Sequence, residues 1–129
     1  MIVVDASIVV HLIVDAAVDP SIVELVRRAE RLTAPHIIDL EVLNALRRHR
    51  QYKKISPERL TIALADFASI PIERHTTNHL NSRIWQLCNN LTPYDACYIA
   101  LAEELNIPLL SRDAKMSGAP NLSANVIIV

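Results

Sequence analysis

The sequence predicts an α/β protein, a three-layer α/β/α sandwich with a mostly parallel central sheet. Three observations carry this. Short apolar runs, Ile2–Val4, Pro108–Ser111 and Val126–Val129, lack the apolar–polar alternation of a half-exposed strand and so suit strands buried on both faces. Longer segments between them place apolar residues at helical spacing. Strand-like and helical segments alternate along the chain, the order that builds a parallel sheet covered by helices.

Ile2–Val4 is the first strand, and Ala6–Val14 a short apolar helix behind it. Asp19-Pro20-Ser21 opens the next helix, with Asp19 as N-cap and Pro20 in a turn where a missing N–H is no loss. That helix is expected to reach about Leu32, with Ile22, Val23, Val26 and Ala29 on one face. Thr33-Ala34-Pro35 is a brief extended connection with room for a two-residue strand. Ile37 to about Tyr52 is helical, with Ile38, Val42 and Leu46 in phase. Ser56-Pro57 opens a further helix whose apolar face includes Leu60, Leu64, Phe67 and Ala68. Ile70–Glu73 is a strand, and Thr77–Asn90 a helix with Leu80, Ile84 and Leu87 on one stripe. Thr92-Pro93 starts a helix that ends near Asn106. After the strand Pro108–Ser111, Met116–Asn125 is a loop holding the only glycine, Gly118, and Val126–Val129 closes the sheet.

A length of 129 residues suits one domain, residues 1–129, and a hydrophobic fraction of 51% supplies its core. Aromatics make up 4%, so that core is aliphatic. The single glycine excludes a glycine-rich phosphate loop. A net charge of −1 means that any nucleic-acid site must come from local clustering. Cys88 and Cys97 form no CxxC pair, and small buried thiols in a reducing cytoplasm are the expectation. No signal peptide or membrane span is read at the N-terminus.

The chemistry is carried by acids. Asp5 separates two apolar runs, Glu41 lies among Ile37, Ile38, Val42 and Leu43, Asp95 opens the stretch Ala96–Ala102, and Asp113 follows Leu109-Leu110-Ser111-Arg112. A carboxylate drawn toward a core costs several kcal/mol, roughly, unless paired, protonated or bound to a metal. Asp5 and Asp113 follow strands, and Asp95 and Glu41 begin helices that return from the same sheet edge. All four can therefore meet at the carboxyl ends of the strands. Singly, each has an ordinary use: Asp95 at a helix dipole, Asp113 in a turn, Glu41 as a solvated charge with Asp39 turned inward instead.

Asp5-Ala6-Ser7 after the first strand, Glu41 with Asn44, Leu91-Thr92-Pro93-Tyr94-Asp95-Ala96, and Leu109-Leu110-Ser111-Arg112-Asp113 together resemble the PIN-domain ribonucleases, in particular VapC-type toxins of toxin–antitoxin pairs. The resemblance covers essentially the whole chain. It implies a cytoplasmic endoribonuclease dependent on Mg²⁺ or Mn²⁺, a homodimer, and a small VapB-type antitoxin that blocks the site. Asp5 and Asp95 are the first candidates for metal ligands, with Glu41 orienting or deprotonating water and Asp113 completing the site. Ser7, Asn44, Thr92 and Ser111 are candidates for supporting hydrogen bonds.

Arg47, Arg48, His49, Arg50, Lys53 and Lys54 form a basic cluster downstream of Glu41. Arg47, Arg48 and Arg50 are candidates for guiding an RNA backbone, although cations also suit a helix C-terminus. Arg112, beside Asp113, is a further candidate phosphate contact. The five histidines make no metal pattern, and the tyrosines are too dispersed for a stacking platform, with Tyr94 the one expected near the site. A receiver-like domain fails for lack of a second acid after the first strand, since Ala6 follows Asp5. The remaining alternative is a catalytically inactive PIN-like protein that binds RNA or a partner.

Overall fold

The computed structural model describes residues 1–129. Five parallel strands lie in the order β3-β2-β1-β4-β5, where β1 is Ile2–Val4, β2 Leu32–Pro35, β3 Ile72–His75, β4 Leu109–Ser111 and β5 Val126–Ile128. Helices α1 (Ala6–Val14), α3 (Ile38–Gln51) and α4 (Pro57–Ser69) pack together on one face. On the other, α6 (Pro93–Leu105) lies across β1, β2 and β4, with α5 (Asn81–Leu87) behind it. The remaining helix, α2 (Pro20–Arg28), anchors through buried Ile22. The three layers are those expected from the alternation of strands and helices. No helix is long and apolar enough to cross a membrane.

Burial explains the apolar strands. Val3, Val4, Leu109 and Leu110 are fully enclosed, as the middle of a sheet covered on both faces requires. Residues Ala96 to Ala102 are buried without a break, so α6 is the central helix. Ala96, Ala100 and Ala102 allow that helix to approach the sheet closely. Asn106 ends it in the left-handed region (φ 53°), a conformation that Asn tolerates.

The structure moves several boundaries. The second helix stops at Arg28 rather than Leu32, because Glu30 turns left-handed (φ 58°) and Leu32 already belongs to β2. Thr33-Ala34-Pro35 is no mere connection but most of a buried four-residue strand between β1 and β3. Its Ala and Pro carry little strand signal; burial between two neighbours makes the strand. The third strand is Ile72–His75 rather than Ile70–Glu73, shifted past Pro71, which has no ladder donor. The segment expected as one helix over Thr77–Asn90 is a 3₁₀ turn, Asn78–Leu80, followed by α5. Residues Ala114–Ser117 form a further 3₁₀ turn where a loop start was expected at Met116. In α4, Leu60, Ala63 and Phe67 face inward, whereas Leu64 and Ala68 are exposed.

One ion pair fastens the second layer. The Arg83 guanidinium donates to Glu103 through Nε at 2.7 Å and Nη2 at 2.9 Å, tying α5 to α6. Glu103 also accepts the Ser123 N–H at 2.9 Å, securing the loop before β5. These bonds, that from Arg83 foremost, hold the Glu103 carboxyl below its ordinary value. A depressed carboxylate stabilises the fold above its unfolded pKa, and that contribution disappears as pH falls through the folded value. Glu103→Gln is therefore expected to cost about 1 kcal/mol at pH 7 in urea denaturation, discounted for partial exposure. The gap to wild type should close below about pH 4; a gap that stays constant with pH would refute the assignment.

Candidate active site

The sheet order places a switch point between β1 and β4, since the chain leaves β1 toward β2 on one side and β4 lies on the other. Clefts form outside the carboxyl ends of strands at such points. Here a cleft of about 650 Å³ opens, lined by Asp5, Glu41, Asp95 and Asp113 together. The convergence expected from element order is what the fold produces.

Asp5 is the innermost acid, 4% exposed. As N-cap of α1 it accepts the Ile8 N–H at 3.2 Å. The Ser7 hydroxyl donates to its Oδ1 at 2.6 Å, and the Ser111 hydroxyl donates to Oδ2. Each hydroxyl in turn accepts an amide from the segment after β4. Ser7 takes the Arg112 N–H at 2.9 Å, and Ser111 takes the Asp113 N–H at 2.9 Å. Two serines thus clamp the end of β1 to the exit of β4. Burial pushes the Asp5 carboxyl above its ordinary value despite these bonds.

Glu41 sits in the first turn of α3 and accepts a hydrogen bond from the Tyr98 hydroxyl. Its neighbour Asp39 points elsewhere, to Arg74, whose Nε and Nη2 donate at 2.8 and 2.7 Å. Glu41 is therefore the inward acid. Burial raises its pKa, and the charges of Asp95 and Asp5 raise it further. Asp95 lies in the first turn of α6, where the N-cap Thr92 accepts its N–H at 3.2 Å. Burial raises Asp95 too, with Asp113 adding to the effect. Asp113 caps the turn Ala114–Ser117, accepting the Lys115 N–H at 3.0 Å. Asn44 lines the same cleft.

The donor set suits a hard divalent cation. Carboxylates supply it, and oxygen donors select ions such as Mg²⁺ and Mn²⁺. Three of the four acids are pushed toward protonation, two of them partly by other acids of the cleft, a conflict that a cation would relieve. The side chains do not draw together into a closed cage of three ligands. An open arrangement fits an ion that keeps part of its water shell.

The basic candidates divide. Arg48 and Arg112 line the cleft, whereas Arg47 and Arg50 line a separate groove with Leu43, Leu46, Leu60 and Leu64. Adjacent helical positions point about 100° apart, which is enough to divide them. Cys97 is buried and its thiol is pushed up to about 12, mainly by burial, an inert state.

Several contributors went unread in the sequence. Tyr98 holds Glu41; its signal was the spacing of three from Asp95, which puts both on one side of α6. The aromatics lining the cleft are Tyr98 and Tyr52, while Tyr94 is exposed and outside its lining. His11 is buried; its Nε2 accepts the Asp19 N–H at 3.0 Å, and its Nδ1 meets Asp15. Asp15 also lies 3.5 Å from the Arg112 guanidinium, which it steadies at the cleft rim.

Comparison with known proteins bears on the family and the fold. The PIN domain family model matches residues 2–122. Ribonuclease VapC9 of Mycobacterium tuberculosis is 34% identical over 129 residues, covering 100% of this chain and 98% of the relative. Ribonuclease VapC1 of the same organism is 34% identical over 128 residues, covering 98% and 96%. The crystal structure of VapBC2 from Rickettsia felis, bound to a DNA fragment from their promoter, superposes with a TM-score of 0.70 at 16% identity, covering 98% of both chains.

The raised Asp5 pKa has a stability consequence. Between the ordinary carboxylate value and the raised one, the folded state binds more protons than the unfolded, so metal-free stability falls as pH rises through that window. Asp5→Asn keeps an acceptor oxygen and removes the charge. Without divalent metal, it is expected to melt above wild type at pH 7, with the gain shrinking as pH drops toward about 4. Calorimetry across that range checks it, and a variant melting lower at pH 7 would contradict the account.

Proposed function

The chain belongs to the PIN-domain family, and from that premise we propose that it is a VapC-type toxin, a divalent-metal-dependent endoribonuclease acting in the cytoplasm. The observation that carries this reading is the convergence of Asp5, Glu41, Asp95 and Asp113, from four separate elements, on one cleft. Full-length relatives named as ribonucleases support it. The presence of all four acids disfavours a merely binding, inactive PIN-like protein.

Asp5 and Asp95 would hold the cation directly, with Glu41 and Asp113 around it. Mg²⁺ or Mn²⁺, when bound, supplies positive charge against a phosphodiester and acidifies water. The chain's own residues do the rest. Ser7 and Ser111 fix both oxygens of Asp5, so the first ligand is oriented before any ion arrives. Tyr98 fixes Glu41, and burial beside Asp5 and Asp95 raises that carboxylate's affinity for a proton. Glu41 is thereby suited to accept a proton from the attacking water. Arg112, steadied by Asp15, stands at the rim where a phosphate would enter.

A small VapB-type antitoxin and a second copy of the chain are the protein partners in this reading. The aliphatic groove between α3 and α4, with exposed Leu43 and Leu64, offers apolar surface for such contact.

The decisive experiment is cleavage of total cellular RNA by the purified protein. Activity is expected with Mg²⁺ or Mn²⁺ and none with EDTA. Asp95→Asn and Asp5→Asn should each lose about 10²-fold or more while remaining folded by circular dichroism. Tyr98→Phe should lower kcat with little change in RNA affinity, since its hydroxyl acts through Glu41 rather than on substrate. Undiminished cleavage by either Asp variant would sink the reading.

A further inference from the structure

His11 is a buried polar residue, 5% exposed, that the proposed mechanism leaves unused. It lies on α1 and lines the cleft beside Asp15 and Arg112. Its two ring nitrogens have different partners. Nε2 accepts the Asp19 N–H at 3.0 Å, and Nδ1 meets Asp15 Oδ2 one helical turn on. A third group crowds the same ring, since Arg112 Nη1 lies 3.0 Å from Nδ1. A ring nitrogen that accepts a hydrogen bond carries no proton, and an imidazole keeps at least one. The proton is therefore on Nδ1, where it donates to Asp15.

The opposite tautomer fails on the count of bonds. It would offer Arg112 an acceptor at Nδ1. It would also set a proton on Nε2 against the Asp19 N–H, and a lone pair on Nδ1 against the Asp15 carboxylate. One bond would be gained for two lost. With Nδ1 protonated, Arg112 has no acceptor on the ring. Its anchor is Asp15 Oδ2 at 3.5 Å, the same oxygen that takes the imidazole proton. The guanidinium is thus held by charge without a closed hydrogen bond. Both ends of this contact are fixed in the backbone. The Arg112 N–H donates to Ser7 at 2.9 Å. The Asp15 N–H donates to the His11 carbonyl, and Arg59 Nη2 donates to the Ile13 carbonyl at 2.7 Å at the same end of α1.

We infer that His11 is a positioning residue: its Nδ1–H aims the Asp15 carboxylate, and Asp15 aims the Arg112 guanidinium across the mouth of the cleft. The other ring nitrogen does the ordinary work of a buried histidine, fastening the start of α2, where Asp19 is the cap, to α1. A guanidinium already aimed loses less rotamer freedom when an anion arrives. Its long contact with Asp15 leaves the N–H groups free to turn toward that anion. The inference rests on the ribonuclease reading for the anion that Arg112 meets, whereas the relay itself is a property of the free protein.

Two substitutions separate the two nitrogens. His11→Gln keeps an acceptor at the depth of Nε2 and loses the donor at Nδ1. His11→Asn keeps a donor near Nδ1 and loses the acceptor. In RNA cleavage with Mg²⁺, His11→Gln should raise KM about fivefold or more with kcat within about twofold, and melt near wild type. His11→Asn should keep KM within about twofold and melt about 4 °C lower. In an Arg112→Ala background, His11→Gln should raise KM no further, because the effect runs through that guanidinium. Equal KM for the two variants, or the same rise without Arg112, overturns the relay. Nuclear magnetic resonance reads the relay without any substrate. The neutral His11 ring should be the Nδ1–H tautomer, and the Arg112 Nε–H should lose order in His11→Gln but not in His11→Asn. An Nε2–H tautomer, or Arg112 order indifferent to both variants, overturns the relay even where cleavage stands. Preserved tautomer and order in a protein that cleaves no RNA would sink the ribonuclease reading and leave the relay.

Discussion

The buried carboxylate of Asp5 is the point on which the architecture turns. It ends β1, caps α1 and receives the hydroxyls of Ser7 and Ser111, so the first strand, the first helix and the exit of β4 meet on one group. Those hydroxyls also accept the Arg112 and Asp113 amides, which sets the path of the chain leaving the sheet. A charge in that position opposes folding unless its bonds are complete. Here the bonds are complete and burial still raises its pKa, so the site retains an electrostatic debt.

That imbalance extends across the cleft. Glu41 feels Asp95 and Asp5, and Asp95 feels Asp113. Any cation that binds the folded state alone is linked to stability by mass action, so occupation and rigidity rise together. The aliphatic core, with Val3, Val4, Leu109 and Leu110 fully enclosed, supplies the stability against which this unfavourable cluster is held.

Much of this can be read from the residues alone, and the reasons differ by element. Strands buried on both faces leave unbroken apolar runs, which is why β1 and β4 are visible; β5 is apolar too, although it is a partly exposed edge strand. The caps Asp19, Ser56 and Thr92, each followed by Pro, mark their helices directly. The strand at Leu32–Pro35 is hidden because its residues are defined by neighbours, not by propensity. The acids are visible through their apolar surroundings. What stays hidden is pairing across sequence: Tyr98 with Glu41 depends on which helix faces meet, and Asp15 with Arg112 on how the end of α1 lies against the segment after β4. The choice of Glu41 over Asp39 is settled only by Arg74, which claims Asp39 from an adjoining strand.

The clasp between Asp5 and Ser111 joins residues 106 apart in the sequence. During synthesis, the N-terminal acid emerges first and waits for nearly the whole polypeptide before its partner exists. Contacts of such range are also slow to form once available. An incomplete translation product that stops before β4 therefore lacks both the serine that orients the first carboxylate and Asp113 itself. The complete acidic cleft is thus a property of finished molecules, assembled only when the chain has run almost to its end.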